Sequence, residues 1–80
     1  MYTIITNTFI PYTFDDTESC VNYIKGMSFN ITYSIRLIEK TPERLIIRCP
    51  VSGEYLDIHG SESAIEFLDD ELNSQNLYRR

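Results

Sequence analysis

Acidic residues crowd the segment 59–72, HGSESAIEFLDDEL, which holds five carboxylates and no lysine or arginine. Carboxylates at this density could catalyse acid–base reactions, coordinate a divalent metal, or attract a basic partner. Acid–base catalysis needs two carboxylates in environments that separate their pKa values, usually through burial. A calcium loop needs alternating oxygen ligands around a glycine turn, and that spacing is missing here. We therefore predict no catalytic residue, no metal site and no cofactor.

A helical wheel shows where the carboxylates lie if a helix follows Gly60. Ser63 and Glu66 have the spacing of a capping box, and Ser61 is the alternative cap. The predicted apolar side consists of Ala64, Phe67, Leu68 and Leu72, with Ile65 at its edge. The opposite side is an outward-facing set, called here the acidic stripe, of Glu62, Glu66, Asp69 and Asp70.

The acidic stripe has two interpretations. It can be a solvated helix face that keeps a small protein soluble. It can instead imitate nucleic-acid phosphates, because carboxylates four residues apart on a helix lie about 6 Å from each other, as neighbouring phosphates do. Such a surface is attracted to the basic groove of a protein that handles nucleic acid.

Two other groups of residues could carry chemistry. Cys49 and His59 could form a nucleophile and base, or could bind zinc together with Cys20. The spacing matches no zinc motif, and strand alternation places Cys49 inward and His59 outward. We therefore predict structural roles and reduced cysteines.

Arginines form the second group. Arg36, Arg44 and Arg48 are predicted on the outer face of a sheet beside Tyr55, with Tyr2 nearby. Basic residues among aromatics on an open sheet can bind single-stranded nucleic acid by stacking. We favour the alternatives, which are pairing of these arginines with acids across the strands, simple solubilisation of the protein, or cover of this face by the N-terminal segment.

The remaining segments predict the elements that carry these residues. Residues 1–10 predict a strand ended by Pro11, and residues 14–26 predict a helix capped by Asp15 or Asp16 and stopped by Gly26. Alternating residues predict a strand over 29–39 whose inward side chains are Phe29, Ile31, Tyr33, Ile35 and Leu37. Two more strands, 43–49 and 54–60, follow turns at Pro42 and Gly53, with inward side chains from Leu45, Ile47, Cys49, Leu56 and Ile58.

This element order predicts one small α+β domain over residues 1–80. We expect a two-layer β-α-β-β-β-α arrangement, with an antiparallel three-stranded meander, the N-terminal strand beside it, and two helices on one face. The run from Thr17 to Leu72 shares its element order with double-stranded-RNA-binding domains. Its last helix, however, begins with acids where that family carries lysines.

Charge and composition limit the partners and the cellular locations that we expect. The net charge is −5, and residues 49–78 contain seven acids and no lysine or arginine. This asymmetry favours a basic protein partner over direct contact with nucleic acid. No apolar run is long enough for a membrane span, and the N-terminus has no signal-peptide pattern. We expect a cytoplasmic protein, in the host cytoplasm if a phage encodes it, that is a monomer or homodimer.

One segment resembles a known family. The residues Leu45-Ile46-Ile47-Arg48, Gly53-Glu54-Tyr55, Ile58 and Ser61-Glu62-Ser63 are similar to the central part of small phage-encoded anti-CRISPR inhibitors of Cas9. The resemblance implies an acidic, non-enzymatic protein that presents carboxylates where the target would bind DNA. Carried over by position, it implies a contact role for Glu54.

These observations lead to a functional hypothesis. We expect a non-enzymatic inhibitor, anti-CRISPR-like, whose acidic surface imitates nucleic acid and blocks a host nucleic-acid-handling or defence complex. The expected partner-binding residues are Glu54, Asp57, Glu62, Glu66, Asp69 and Asp70. Two alternatives are a structural subunit that acts through oligomerisation and a nucleic-acid-binding module that uses the arginine-rich sheet face.

Overall fold

The chain forms two layers, a five-stranded antiparallel sheet and a pair of helices, in a computed structural model that describes residues 1–8 and 10–78. The elements are β1 (Tyr2–Ile5), β2 (Pro11–Phe14), α1 (Thr17–Met27), β3 (Arg36–Thr41), β4 (Arg44–Cys49), β5 (Glu54–Gly60) and α2 (Glu62–Ser74). The strand order in the sheet is β2-β1-β5-β4-β3. The predicted α+β class, with its β3-β4-β5 meander and two helices, is confirmed.

The N-terminal segment forms two strands where the sequence predicts one. Pro11 begins β2, and β1 pairs with both β2 and β5, so the first strand lies inside the sheet. Phe9, which the prediction placed at the end of the first strand, lies outside the described residues. Proline is tolerated in β2 because this strand is at the edge of the sheet, where one side of its backbone needs no partner.

The predicted strand over 29–39 is wrong in its first half. Phe29, Asn30 and Tyr33 have positive φ angles of 53°, 59° and 57°, which no strand residue adopts. Arg36 lies opposite Arg48 near the end of β4, so the preceding residues have no strand to pair with. They form a loop that the C-terminal segment holds in place: Tyr33 N–H donates to the carbonyl of Asn76 over 2.8 Å.

The core lies between the two layers. The predicted inward residues of β4 and β5, from Leu45 to Ile58, are fully buried. A register shift between Leu37 and Glu39 is a bulge, and it places Lys40 opposite Leu45 and therefore on the helix side of the sheet. Without that extra residue, alternation would direct Lys40 to the other face.

Side-chain caps begin both helices. Asp16 accepts a hydrogen bond from the Ser19 amide at the start of α1, over 2.8 Å. Ser61, the alternative cap, accepts from the Ala64 amide at the start of α2. At the other end of α1, Gly26 lies within the helix and does not stop it, because the last helical residue is Met27.

Candidate protein-binding surface

The two helices lie side by side on one face of the sheet and run in the same direction. Tyr2 ties their first turns together: its hydroxyl donates to the carbonyl of Ala64 over 2.8 Å and lies 2.7 Å from the Thr17 hydroxyl. Tyr2 is therefore buried beneath the helices, and its prediction on the outer sheet face is wrong. Burial also raises the pKa of this phenol.

A groove runs between the helices on the outside of this layer. Its lining residues recur at helical spacing: Thr17, Glu18, Val21, Asn22 and Lys25 from α1, and Phe67, Glu71 and Gln75 from α2. We call this set the helical groove. It continues past Phe67 towards the helix N-termini, where Asp15 and Ser63 line a second, shallower depression.

Phe67 is the largest apolar side chain in the helical groove, and 57% of it is exposed. The sequence placed it on the apolar side of α2, which is wrong. The buried side of α2 consists of Ile65, Leu68 and Leu72, so the helix is rotated relative to the predicted wheel. Ile65, which the wheel put at the edge, is fully buried, and Phe67 projects from the outer surface.

Carboxylates surround Phe67 and the helix N-termini. The helical layer carries Lys25, and Lys40 reaches it from β3. The acids of the helices and of their N-terminal flanks are more numerous: Asp15, Asp16, Glu18, Glu62, Glu66, Asp70 and Glu71. Acids in the first turn of a helix interact favourably with its dipole, which accounts locally for Glu18 and Glu62. The outcome is an exposed phenyl ring within a negative surface.

The structure divides the predicted contact residues among different environments. Glu62, Glu66 and Asp70 are exposed on α2, and Glu66 accepts a hydrogen bond from Lys40 over 2.9 Å. Asp69 is 2% exposed and accepts a hydrogen bond from Tyr78. Asp69 therefore belongs to the core and not to the acidic stripe. The wheel missed this because its buried side was centred on the wrong residues.

Asp57 lies on the other side of the molecule. It projects from β5 onto the open face of the sheet, away from the helices, because it lies between the inward residues Leu56 and Ile58. Arg44 binds it through two hydrogen bonds of 2.8 Å, and His59 Nε2 lies 3.1 Å from Oδ1. The hydrogen bonds from Arg44 hold the pKa of this carboxyl below its usual range.

Glu54 begins β5 on the helix side, opposite Cys49. It is half-buried, and its charge contributes to the raised pKa of Tyr23 on α1 and of the Cys49 thiol, for both of which burial is the larger cause. It therefore lies on the same side of the sheet as α2 but outside the helical groove. The six predicted contact residues do not form one surface.

Carboxylate oxygens of Glu66, Asp69 and Asp70 lie within 4.8 Å of one another. Glu66 is paired with Lys40, and Asp69 is hydrogen-bonded to Tyr78. Exposed acidic groups are often this close without a metal. The cluster does not by itself indicate a cation site.

The cysteines lie in the core. Cys20 and Cys49 are free and fully buried. Burial raises the pKa of Cys20 to about 12 and also raises that of Cys49. A thiol is a poor nucleophile in such a setting, because the thiolate is the reactive form. Cys49 and His59 lie on opposite faces of the sheet, as alternation predicts.

Comparison of the chain with protein-family models, with curated proteins and with solved structures finds no match. The resemblance to anti-CRISPR inhibitors therefore stays a prediction from the sequence. Among the described residues, no helix has the length and apolar character needed to cross a membrane.

Proposed function

We propose that this chain is a non-enzymatic binding protein that docks a basic partner protein on its helical layer. The exposed phenyl ring of Phe67 is the observation that carries the proposal. Phe29 is exposed as well, but Phe67 differs from it because it lines the helical groove beside Glu18 and Glu71. An aromatic residue in such a depression is typical of an interface hot spot.

The surrounding charge indicates what kind of partner fits. Glu18 and Glu71 line the helical groove with Phe67, and Glu62 and Asp70 lie on the exposed side of α2. A partner with an apolar side chain between lysines or arginines would cover the ring and meet these carboxylates. Complementary charge also speeds association and makes it sensitive to salt.

Proteins that handle nucleic acid are the proposed partner class, because their phosphate-binding grooves are large basic surfaces. Occupation of such a groove by the helical layer would exclude the nucleic acid, which is how an anti-CRISPR-like inhibitor of a host defence complex would act. Asp57 and Asp69 are left out of this contact, since one is bound to Arg44 and the other is buried.

Parallel capture from host lysate at low and high salt tests the proposal. The baits are the wild type, Phe67→Ala and Glu62→Gln/Asp70→Asn. Two controls change matched residues outside the groove: Phe29→Ala removes a phenyl that is 65% exposed, and Glu39→Gln/Glu43→Gln removes two exposed carboxylates.

A protein retained at low salt by the wild type and both controls, and lost with Phe67→Ala and with Glu62→Gln/Asp70→Asn, identifies the partner. Calorimetry with that purified protein should then show that Phe67→Ala weakens binding about tenfold or more, which is typical of a hot-spot residue. Addition of the chain should displace nucleic acid from the partner. Retention of the same protein by all five baits would contradict the proposal.

A further inference from the structure

A second set of polar side chains lies on the open face of the sheet, which is the face opposite the helices. Strand pairing aligns Arg36 of β3 with Arg48 of β4, and Arg48 with Tyr55 of β5. These three residues form one row across the strands, which we call the arginine row. All three are exposed.

Two cations stand directly opposite each other in the arginine row. Side chains at such positions have Cβ atoms about 5 Å apart, and like charges there destabilise a sheet. Among the described residues, no carboxylate forms an ion pair with either arginine. Arg44, on the same strand and face, is held by both oxygens of Asp57. On this face Asp57 therefore neutralises Arg44, whereas Arg36 and Arg48 lie one row away from Glu39 and Asp57 and outside ion-pair distance of both.

Tyr55 completes the row. The guanidinium carbon of Arg48 lies 5.4 Å from the centre of the Tyr55 ring, a cation–π contact. Stacking of this kind reduces the freedom of the Arg48 side chain while its N–H groups stay available to an oxyanion. Guanidinium planes and tyrosine rings are also the surfaces on which unpaired bases stack.

We propose that the arginine row binds a nucleotide, with a phosphate between Arg36 and Arg48 and a base stacked beside the Arg48–Tyr55 pair. An arginine fork matches phosphate oxygens through paired hydrogen bonds, and an oxyanion would remove the repulsion between the two cations. A free nucleotide and a nucleotide within a single strand offer the same phosphate and base. This site differs from the sequence-based expectation of no direct nucleic-acid contact, and it does not depend on the helical groove.

Fluorescence anisotropy with a short labelled oligothymidylate at low salt measures the affinity. We expect saturable binding that Arg36→Gln and Arg48→Gln each weaken about tenfold, as removal of a charged hydrogen-bond donor does. A plot of the logarithm of the binding constant against the logarithm of the salt concentration should also become less steep. The slope should decrease in magnitude by about 0.7 for each phosphate contact that is lost. Tyr55→Leu should weaken binding because it removes the ring, whereas Tyr55→Phe should retain it.

Arg44→Gln is the matched control, with the same charge change on the same strand and face. Its guanidinium is occupied by Asp57, so the affinity should change by no more than about twofold. Equal weakening by Arg44→Gln would show general charge attraction and overturn the site, as would the absence of saturable binding. Circular dichroism of each variant checks that these exposed substitutions leave the fold intact.

Competition identifies the source of the nucleotide. Displacement by thymidine monophosphate at the same nucleotide concentration as unlabelled oligothymidylate would assign a free nucleotide. Displacement only by the oligonucleotide would assign a single strand. Inorganic phosphate that competes as well as either would overturn the role of the base and of Tyr55.

Discussion

Asp69 lies in the core of the domain, where its carboxylate accepts a hydrogen bond from the hydroxyl of Tyr78. The two residues are 2% and 0% exposed. The bond joins α2 to the C-terminal segment that also holds the loop before β3, since Ile35 N–H donates to the Leu77 carbonyl over 3.2 Å. An acid that looks like surface charge in the sequence is therefore part of the scaffold.

Removal of one partner from this buried pair should destabilise the protein. We expect Tyr78→Phe and Asp69→Ala each to lower the free energy of unfolding by about 1–3 kcal/mol, because the group left behind is buried without this hydrogen bond. Urea unfolding of both variants and of the double variant measures their coupling. Additive effects would contradict a direct interaction, and Asp70→Ala, at an exposed neighbouring position, serves as the control.

The ion pair between Arg44 and Asp57 should make stability depend on pH. The pKa of Asp57 is lowered from 3.8 in the folded state, so its contribution is fully present above that value. It is lost as the pH falls through the lower, folded-state pKa. We expect Arg44→Gln to reduce the free energy of unfolding near neutral pH, and to reduce it less at about pH 2.

Urea unfolding of the wild type and Arg44→Gln at the two pH values gives this difference. Lys40→Gln is a useful comparison, because its Glu66 partner is 58% exposed and the pair should contribute less than about 1 kcal/mol. A difference between wild type and Arg44→Gln that stays constant with pH would show that Asp57 is not the titrating partner.

Local sequence patterns were sufficient for the hairpin of β4 and β5. Alternation in β4 and β5, with Pro50 and Gly53 between them, predicts the hairpin, its register and its buried residues. The turn at Gly53 has a φ of 77°, a conformation that glycine adopts readily. The same alternation failed at 29–35, because β4 ends at Cys49 and offers no partner there.

Which side of α2 faces the core depends on contacts with residues that are distant in sequence. Leu68 and Leu72 belong both to the predicted apolar side, with Phe67, and to the observed one, with Ile65. Contacts of α2 with the sheet and with α1 decide between these two rotations. The sequence of α2 alone gives no information about those contacts. The signal that could have found the correct side is the spacing of Ile65, Leu68 and Leu72, at i, i+3 and i+7.

Both cysteines should be protected in the folded protein. Cys20 and Cys49 are buried, and burial raises the pKa of each thiol, so little thiolate is present near neutral pH. We expect no rapid reaction with a thiol reagent such as Ellman's, and reaction of both cysteines once urea unfolds the chain. Ser74→Cys, at an exposed position, should react at once and serves as the control. Rapid reaction of the wild type would contradict the buried placement.

Replacement by alanine should destabilise the protein strongly at Ile65 and hardly at all at Phe67. Ile65 is fully buried, so Ile65→Ala should lower the free energy of unfolding by about 2–5 kcal/mol because it removes packing in the core. Phe67 is 57% exposed, so Phe67→Ala should change it by no more than about 0.5 kcal/mol. Urea unfolding of the two variants distinguishes the observed rotation of α2 from the one predicted by the wheel. Strong destabilisation by Phe67→Ala would place the ring in the core, and the helical groove would then lose the residue around which a basic partner is proposed to bind.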